Sequence, residues 1–474
     1  MITSVTFFQE LSYLQSLQAL LHFDQETLMP KAAVGERAKL LSYVSEKHHQ
    51  LLCSKQAKQA LKQTTDIHIR KHLQKDIKDA TKIPASLVSE LSKTIAHANE
   101  SWLISREKNS MLPFKKDLQK ILTLTRKKIR HLNAKKHPYD VLLEDYEPGM
   151  TVTKLQTLFA KLKPQLVDMY QKVKTQKKAP KSIMKKTYAI KDEKSITDQL
   201  IAWIIPDQKQ FTYGVTTHPF MTQITPNDIR IACAFRENNP FFSITSTAHE
   251  CGHALYELQF PKKYQNTPVY KAASFGLHES QSRIWENHIC KSKAFWQSYY
   301  PKVKKTLSLP TKSFQEFYDQ LNAVEGSLIR IEGDELTYCL HIIIRFEIEL
   351  ELITGTLSVN NLEKRWNQKY KECFNKTPKS LKEGVLQDVH WSSGLFGYFP
   401  TYALGSIYSA QLFEKMKKTV DVDTCMKTKN FAPVQKWLKK HVHSYAATKT
   451  ATQIVGEVNI TPYLAYLEEK YVQI

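Results

Sequence analysis

Hydrophobic positions in the first two hundred residues recur at helical spacing. Phe7, Leu11 and Leu14 fall on one face of a helix. The stretch from 29 to 52 repeats the pattern, with Pro30 near its start, where proline is tolerated in a helix. Beyond it, prolines and glycines, rather than strand-like alternation, interrupt the helical pattern up to about residue 200. The first part of the chain is therefore predicted to be a series of helices.

The pattern changes to strand period between about residues 210 and 245. Ile229 and Ile231 alternate with charged or small residues, and this alternation predicts a small antiparallel sheet. Helical spacing resumes at Thr245, and one long apolar segment ends at Gly355, a residue suited to a helix C-terminus. We therefore predict a mainly α-helical fold with one short sheet and no internal repeat.

Composition agrees with long helices and raises one question about partners. The 474 residues include only 13 glycines, and the net charge is +22. Such an excess of positive charge is typical of proteins that bind nucleic acid or an anionic membrane. The densest lysine stretch, residues 171–195, holds few of the aromatic side chains that base stacking requires. We interpret the charge as a solvated basic surface and do not expect nucleic acid as the partner.

The cysteines and the apolar segments indicate the compartment. The seven cysteines are odd in number and form no CxxC pair, which favours reduced thiols in a reducing compartment. The N-terminal stretch lacks the basic region of a secretory signal. The most apolar later segment, 340–353, contains Arg345 and three glutamates, which excludes a bilayer span. A cytoplasmic protein without a membrane partner is expected.

A short motif carries the first candidate chemistry. His249 and His253 are four residues apart, so a helix places both rings on one side, where they can bind one ion. Glu250 sits beside them, as in the H-E-x-x-H pattern of zinc metallopeptidases. There the glutamate takes a proton from a water molecule that the ion has acidified. We place the helix cap at Thr245 or Ser246.

The glycine within this motif is unusual for a helix interior, where it destabilises by about 1 kcal/mol relative to alanine. Such a residue often marks a place that another group must approach closely, so we expect a close approach at Gly252. The competing interpretation is a helix that carries two histidines by chance.

A catalytic zinc needs a third protein ligand. Glu257 is unsuitable, because it lies eight residues after His249, about 12 Å along the helix axis. Glu279, from a second predicted helix, is the better candidate. The alternative, left open by these residues, is that Glu279 forms an ion pair with Arg283 one turn later.

Residues 384–405 are dense in glycine, aromatic and hydrogen-bonding side chains. Hydrolysis of a peptide bond needs donors for the oxyanion that forms at the carbonyl. His390, Tyr398 and Tyr402 could supply them. The alternative is a set of packed aromatic residues in a turn-rich connection.

Taken together, these segments resemble the carboxypeptidase Taq family of metallocarboxypeptidases (peptidase family M32). The resemblance runs in order over essentially the whole chain. The matching segments are 23–30, 145–151, 218–220, 228–230, 249–253, 278–282, 329–338 and 384–391, continuing into 397–405.

The resemblance implies a single domain over 1–474, with an N-terminal helical half (1–205) and a catalytic half (206–474). It implies a helical, saddle-like body of gluzincin type with a deep groove, beside whose active site the small sheet lies. One zinc ion per chain is implied, with cobalt or manganese as alternatives, in a homodimer that releases C-terminal amino acids one at a time. The roles implied are metal ligands for His249, His253 and Glu279, general base and acid for Glu250, and stabilisers of the intermediate for His390 and Tyr398, with Tyr402 in substrate binding.

An exopeptidase must also bind a free terminal carboxylate, which arginine suits best. Arg330 is the first candidate and Arg230 the second, the alternative for each being an ion pair, such as Arg330 with Asp334. The sequence departs from the family pattern at Ala232, where threonine is usual, and at Gly333, where alanine is usual. Both departures bear on substrate length and side-chain preference rather than on the reaction.

Two alternative functions are compatible with the same residues. The first is a groove-type endopeptidase or dipeptidyl carboxypeptidase on the same scaffold. The second is a non-catalytic basic binding protein with a degenerate site. Blocking the C-terminus of a peptide substrate separates the first from a carboxypeptidase, and metal content separates the second.

Overall fold

The computed structural model describes residues 4–176 and 181–472, of which most are helical. Helices make up 69% of the structure, which confirms the mainly α prediction. The α-helices of the described residues are α1 (Ser4–Thr27), α2 (Val34–Leu52), α3 (Lys55–Gln63), α4 (Ile67–Lys82), α5 (Ala85–Lys108), α6 (Leu112–Asn133), α7 (Pro138–Tyr146), α8 (Val152–Lys174), α9 (Ile190–Ile204), α10 (Pro240–Leu258), α11 (Phe275–Arg283), α12 (Lys293–Leu307), α13 (Phe314–Leu321), α14 (Tyr338–Thr354), α15 (Leu362–Phe374), α16 (Pro400–Lys417), α17 (Val422–Thr428), α18 (Ala432–His441), α19 (Ala451–Val455) and α20 (Thr461–Tyr471).

The chain divides into two compact units, each assembled from three segments. Unit 1 comprises Met1–Ala80, Lys178–Ala323 and Tyr408–Val458, and unit 2 comprises Thr81–Lys177, Val324–Ile407 and Asn459–Ile474. Each unit therefore draws on both halves of the sequence.

Unit 1 contains a three-stranded sheet of β1 (Phe211–Val215), β2 (Phe220–Thr225) and β3 (Asp228–Cys233). The strand order is β1-β3-β2, with β3 antiparallel to β2 and parallel to β1. The sheet is mixed rather than wholly antiparallel, a correction to the expectation from sequence. A two-residue connection makes β2 and β3 a hairpin, whereas β1 pairs with the far edge of β3 instead of with its neighbour in sequence.

Helix α10 lies at the centre of unit 1, packed against α9, β3 and α11. The cap predicted at Thr245 or Ser246 is wrong, because the helix begins earlier, at Pro240. The side chain of Asn239 accepts a hydrogen bond from the backbone N–H of Phe242, and proline occupies the first turn. The Thr245 hydroxyl instead donates to a carbonyl one turn back.

In unit 2, α14 packs against α6, α7, α8 and α15 and is buried along most of its length. It ends, as predicted, at Gly355, which has a φ of 86°. Arg345 and Glu349 are fully buried on this helix, so their charges must be met by neighbouring groups.

All seven cysteines are thiols outside any disulfide, and Cys53 is exposed whereas the others are buried. Within 4–176 and 181–472, no helix combines the length and the apolar character that crossing a membrane requires.

Candidate metal centre and active site

Helix α10 presents the H-E-x-x-H residues on one side and its apolar residues on the other. The rings of His249 and His253 are 4.9 Å apart, centre to centre, and nearly perpendicular. Cys251 and Ala254, on the opposite face, are fully buried. The helical spacing therefore points both imidazoles to one place, while the packing of the other face fixes the helix.

Helix α11 crosses α10 at the glycine of the motif. A Cβ atom on Gly252 would lie 2.6 Å from the carbonyl oxygen of Gln281 and 2.7 Å from the Cα of Ser282. These distances are shorter than van der Waals contact, so only glycine allows the two backbones to come this close. The close approach predicted at Gly252 is confirmed, and it brings Glu279 to the histidine pair.

The three candidate ligands converge in the way a metal ion requires. One carboxylate oxygen of Glu279 lies 3.5 Å from the Nε2 atom of His249 and 3.5 Å from that of His253. One ligand atom from each residue lies within 4.8 Å of the other two. Tetrahedral bonds of about 2.0–2.1 Å would separate such atoms by about 3.3 Å. Two imidazole nitrogens and one carboxylate oxygen therefore lie where they could bind a single metal ion.

Glu279 also forms the ion pair that was the alternative to metal binding. Its second oxygen accepts a hydrogen bond of 2.8 Å from Nε of Arg283, and both side chains are largely buried. Burial alone would raise the pKa of Glu279, but Arg283 and His249 hold it well below its ordinary range. The two interpretations are compatible, since one oxygen faces the arginine and the other faces the histidines.

Glu286 is a carboxylate at the site that was not predicted from the sequence. Its carboxylate lies 2.8 Å from Nδ1 of His249, and it also accepts hydrogen bonds from Arg283 and Lys291. It belongs to a π-helical turn, Ile284–Ile289, which continues α11. Such a carboxylate fixes the tautomer and orientation of a metal-binding imidazole. A signal was available, because Glu286 follows Glu279 by two helical turns and so shares its face.

The ring of His253 is oriented by stacking. It lies 4.3 Å from the ring of His278 at an angle of 14°, and His278 is 3.0 Å from a carboxylate oxygen of Glu257. Glu257, excluded as a ligand by its distance along the helix, therefore positions His278. Burial, aided by the neighbouring His278, lowers the pKa of His253 to about 3, which keeps its imidazole in the neutral form that binds metals.

Glu250 is buried beside the metal ligands, with 7% of its surface exposed. Burial raises its pKa to about 7, while the neighbouring His249 opposes the shift. A carboxyl group poised near neutral pH can both accept and return a proton, which is the requirement for general base and acid catalysis.

Unit 2 brings together the three donors predicted from the 384–405 segment. Nε2 of His390 lies 3.3 Å from the hydroxyl of Tyr402, and its ring is 5.6 Å from that of Tyr398. The rings of the two tyrosines are 5.3 Å apart. Burial and the nearby Arg330 lower the pKa of His390 to about 3, so the ring is neutral at physiological pH.

Arg330 lies beside this group, with its guanidinium 5.1 Å from the ring of Tyr402. Its partner is Asp388, at 2.8 Å, and not Asp334, the ion-pair partner named in the alternative interpretation. Asp334 is occupied elsewhere, because it accepts hydrogen bonds from backbone N–H groups that include those of Gly326 and Thr337. An i,i+4 ion pair requires a helix, and residues 330–332 form only a short 3₁₀ turn.

Asp388 is a second residue without a predicted role, although it lies within the 384–391 segment that carries the family resemblance. It binds Arg330 through one oxygen and the fully buried Arg345 through the other. The two arginines hold its pKa far below the ordinary range against the effect of burial. The pairing joins residues 43 and 58 positions apart, which no local pattern reveals.

The structure also shows the surroundings of Arg230 and of the two residues that depart from the family pattern. Arg230, on β3 of unit 1, forms two hydrogen bonds to Asp228 and lies over the ring of Phe23. Ala232 is fully buried in the same strand. At Gly333, a Cβ atom would lie 2.9 Å from the carbonyl oxygen of Arg330, so alanine would disturb the turn that carries this arginine.

Comparisons with known proteins agree with this geometry. The sequence model of the carboxypeptidase Taq (M32) metallopeptidases matches residues 4–471. Thermostable carboxypeptidase 1 of Thermus thermophilus is 35% identical, over 98% of this chain and 97% of the relative. Carboxypeptidase 1 of Bacillus subtilis is 33% identical, over 98% and 96%. The crystal structure of an M32 carboxypeptidase from Deinococcus radiodurans superimposes with a TM-score of 0.94 at 30% identity, over 98% of this chain and 97% of that one. The chain therefore belongs to the carboxypeptidase Taq (M32) family of metallopeptidases.

Proposed function

We propose that the protein is a metal-dependent carboxypeptidase that releases C-terminal amino acids one at a time, with broad side-chain tolerance. The observation that carries the proposal is the convergence of His249, His253 and Glu279 beside the buried Glu250. Membership of the family and the names of its relatives support the same reaction.

Zinc is the proposed ion, one per chain, with cobalt or manganese as alternatives. Two imidazole nitrogens and one carboxylate are a donor set of catalytic zinc sites, which keep a further position for water or substrate. When bound, such an ion supplies Lewis acidity, lowering the pKa of a water molecule and polarising the scissile carbonyl.

Glu250 is the proposed general base and acid. It accepts the proton of the attacking water and later delivers it to the departing amine. Its raised pKa suits both steps, since the group holds a proton near neutral pH without binding it tightly. Glu286 holds His249 through Nδ1, leaving Nε2 of that ring for the metal.

The remaining roles belong to residues that act on the substrate. We propose that His390 and Tyr398 donate hydrogen bonds to the developing oxyanion and that Tyr402 contacts the substrate. Arg330 is proposed to hold the terminal carboxylate, with Arg230 as the second candidate. Arg330 is supported by its burial and by Asp388, which fixes one edge of its guanidinium.

The test is a Glu250→Gln variant, which removes the proton acceptor with little change in shape. We expect wild-type metal content by elemental analysis and loss of turnover by at least about 100-fold. Mass spectrometry of an unblocked peptide should show stepwise loss of single residues with the wild-type enzyme and none with E250Q. Near-normal turnover by E250Q would contradict the role proposed for this residue.

The same assay separates the competing functions. A carboxypeptidase loses most of its rate when the peptide ends in an amide, whereas an endopeptidase does not, and a dipeptidyl carboxypeptidase releases pairs of residues. A non-catalytic basic protein would purify without metal and bind nucleic acid with strong salt dependence. We further propose a cytoplasmic homodimer, and light scattering of the purified protein tests the dimer.

A further inference from the structure

One buried carboxylate in unit 2 takes no part in the roles proposed above. Glu349, on α14, is fully buried. One of its oxygens accepts a hydrogen bond of 2.8 Å from the indole N–H of Trp391, and the other accepts one of 3.0 Å from the backbone N–H of Gly397. The hydroxyl of Tyr139 donates a third, of 2.7 Å. The carboxylate thus joins both ends of the 391–397 segment to a buried helix.

The two attachment points flank the proposed oxyanion donors directly. Trp391 follows His390, and Gly397 precedes Tyr398. From these positions we propose that Glu349 is a positioning residue, which sets the separation and orientation of His390 and Tyr398 by holding the segment between them. The inference rests on the roles proposed for those two residues in the reaction.

The segment needs an external support, because it lacks regular secondary structure. It consists of turns, with Gly394 and Gly397 at φ values of 70° and 85°. The N–H of Leu395 donates a hydrogen bond of 2.9 Å to the carbonyl of His390, the residue just before the segment. Regular ladders of hydrogen bonds are absent from such turns, so side-chain acceptors must fix their position.

The other side of the segment is fixed by close packing on α7. A Cβ atom on Gly397 would lie 2.9 Å from the Cβ of Leu142, on the helix that also supplies Tyr139. The backbone of Gly397 is therefore held between Leu142 and the carboxylate of Glu349. Movement of this carboxylate would release the backbone one residue before Tyr398.

An apolar residue would fill this core position more cheaply than an acid, because burying a carboxylate opposes folding unless hydrogen bonds offset the desolvation. A carboxylate has a property that no apolar or amide side chain shares: both of its oxygens accept hydrogen bonds. This property matches a segment that offers one N–H donor at each end.

The test is Glu349→Gln. In either orientation the amide of glutamine places its NH₂ group opposite one of the two N–H donors, so one end of the segment loses its acceptor. We expect kcat to fall about 10-fold to 100-fold, as for a small misplacement of catalytic groups, with KM changed less than about twofold. Metal content and the circular dichroism spectrum should match those of the wild type.

Glu347 provides a matched control on the same helix. It forms ion pairs with Lys163 and Lys369 and makes no hydrogen bond to the 391–397 segment among those described. Glu347→Gln should therefore leave both kcat and KM at wild-type values. A second variant, Trp391→Phe, removes the indole donor alone and should lower kcat in the same selective way. This variant decides the question if E349Q does not fold.

A double-mutant cycle separates this inference from the proposed function. In a background that carries both His390→Ala and Tyr398→Phe, E349Q should lower kcat less than about twofold further, because both groups that Glu349 positions are already gone. If Y398F and His390→Ala both keep wild-type kcat, the proposed roles of these residues fail. If they lose activity while E349Q and W391F keep it, or if E349Q acts multiplicatively in the background that lacks both groups, the positioning role of Glu349 is wrong.

Discussion

Replacing Gly252 by alanine tests whether the crossing of α10 and α11 builds the metal centre. The added Cβ would lie 2.7 Å from the Cα of Ser282, whereas carbon atoms in ordinary contact are about 3.5–4.0 Å apart. The obstacle is backbone, so α11 must move away by about 0.8 Å. Glu279 lies on the same helix and must move with it.

Two opposing effects set the change in the free energy of unfolding. Overpacking of this kind costs about 1–3 kcal/mol, while alanine in place of glycine within a helix returns about 1 kcal/mol. Gly252→Ala should therefore lower the free energy of unfolding by about 0–2 kcal/mol and leave a folded protein. Metal sites tolerate only about 0.2 Å in ligand distance. We expect metal affinity to fall about 10-fold to 100-fold, as when a ligand loses its supporting hydrogen bond.

The assay is a competitive zinc titration against a chromogenic chelator, paired with urea denaturation. Gly35→Ala is the matched control, because Gly35 also lies in a helix but has open space where its Cβ would be. That control should keep wild-type metal affinity and gain up to about 1 kcal/mol of stability. Wild-type zinc affinity in G252A would refute the argument that the close crossing delivers Glu279.

Three further predictions concern single carboxylates. Glu286→Ala should weaken zinc binding about 10-fold to 100-fold in the same titration, because His249 loses its orienting partner; unchanged affinity would contradict this. Asp388→Asn should cost about 3–5 kcal/mol in urea denaturation, since the buried Arg330 and Arg345 lose a shared counter-charge; a loss under about 1 kcal/mol would speak against the pairing. Burial raises the pKa of Glu349 to about 7, so the native state binds its proton more tightly than the unfolded state does. The wild-type unfolding free energy should thus fall relative to that of E349Q, by on the order of 3 kcal/mol, between pH 4.5 and pH 7, and a pH-independent difference would exclude this titration.

Much of the architecture is set by local patterns. Phe7 and Leu11, placed on one face by their spacing, are both buried on α1. Helix α14 ends at Gly355, as predicted from the freedom of glycine to adopt a positive φ. The predicted start of α10 is wrong because Asn239 and Pro240 form a cap that the strand-like composition before them conceals. Helical period and terminal residues act through neighbours in sequence, which is why they can be read without a structure.

The sequence by itself determined the helical character and the placement of His249, Glu250 and His253 on one turn, since residues four apart in a helix must share a side. Only the tertiary structure decided that Glu286 supports His249 across 37 residues, that Asp388 rather than Asp334 pairs with Arg330, and that β1 pairs with β3. Such contacts depend on how closely two elements pack, as at Gly252, and that closeness is a property of the folded backbone that local spacing does not encode.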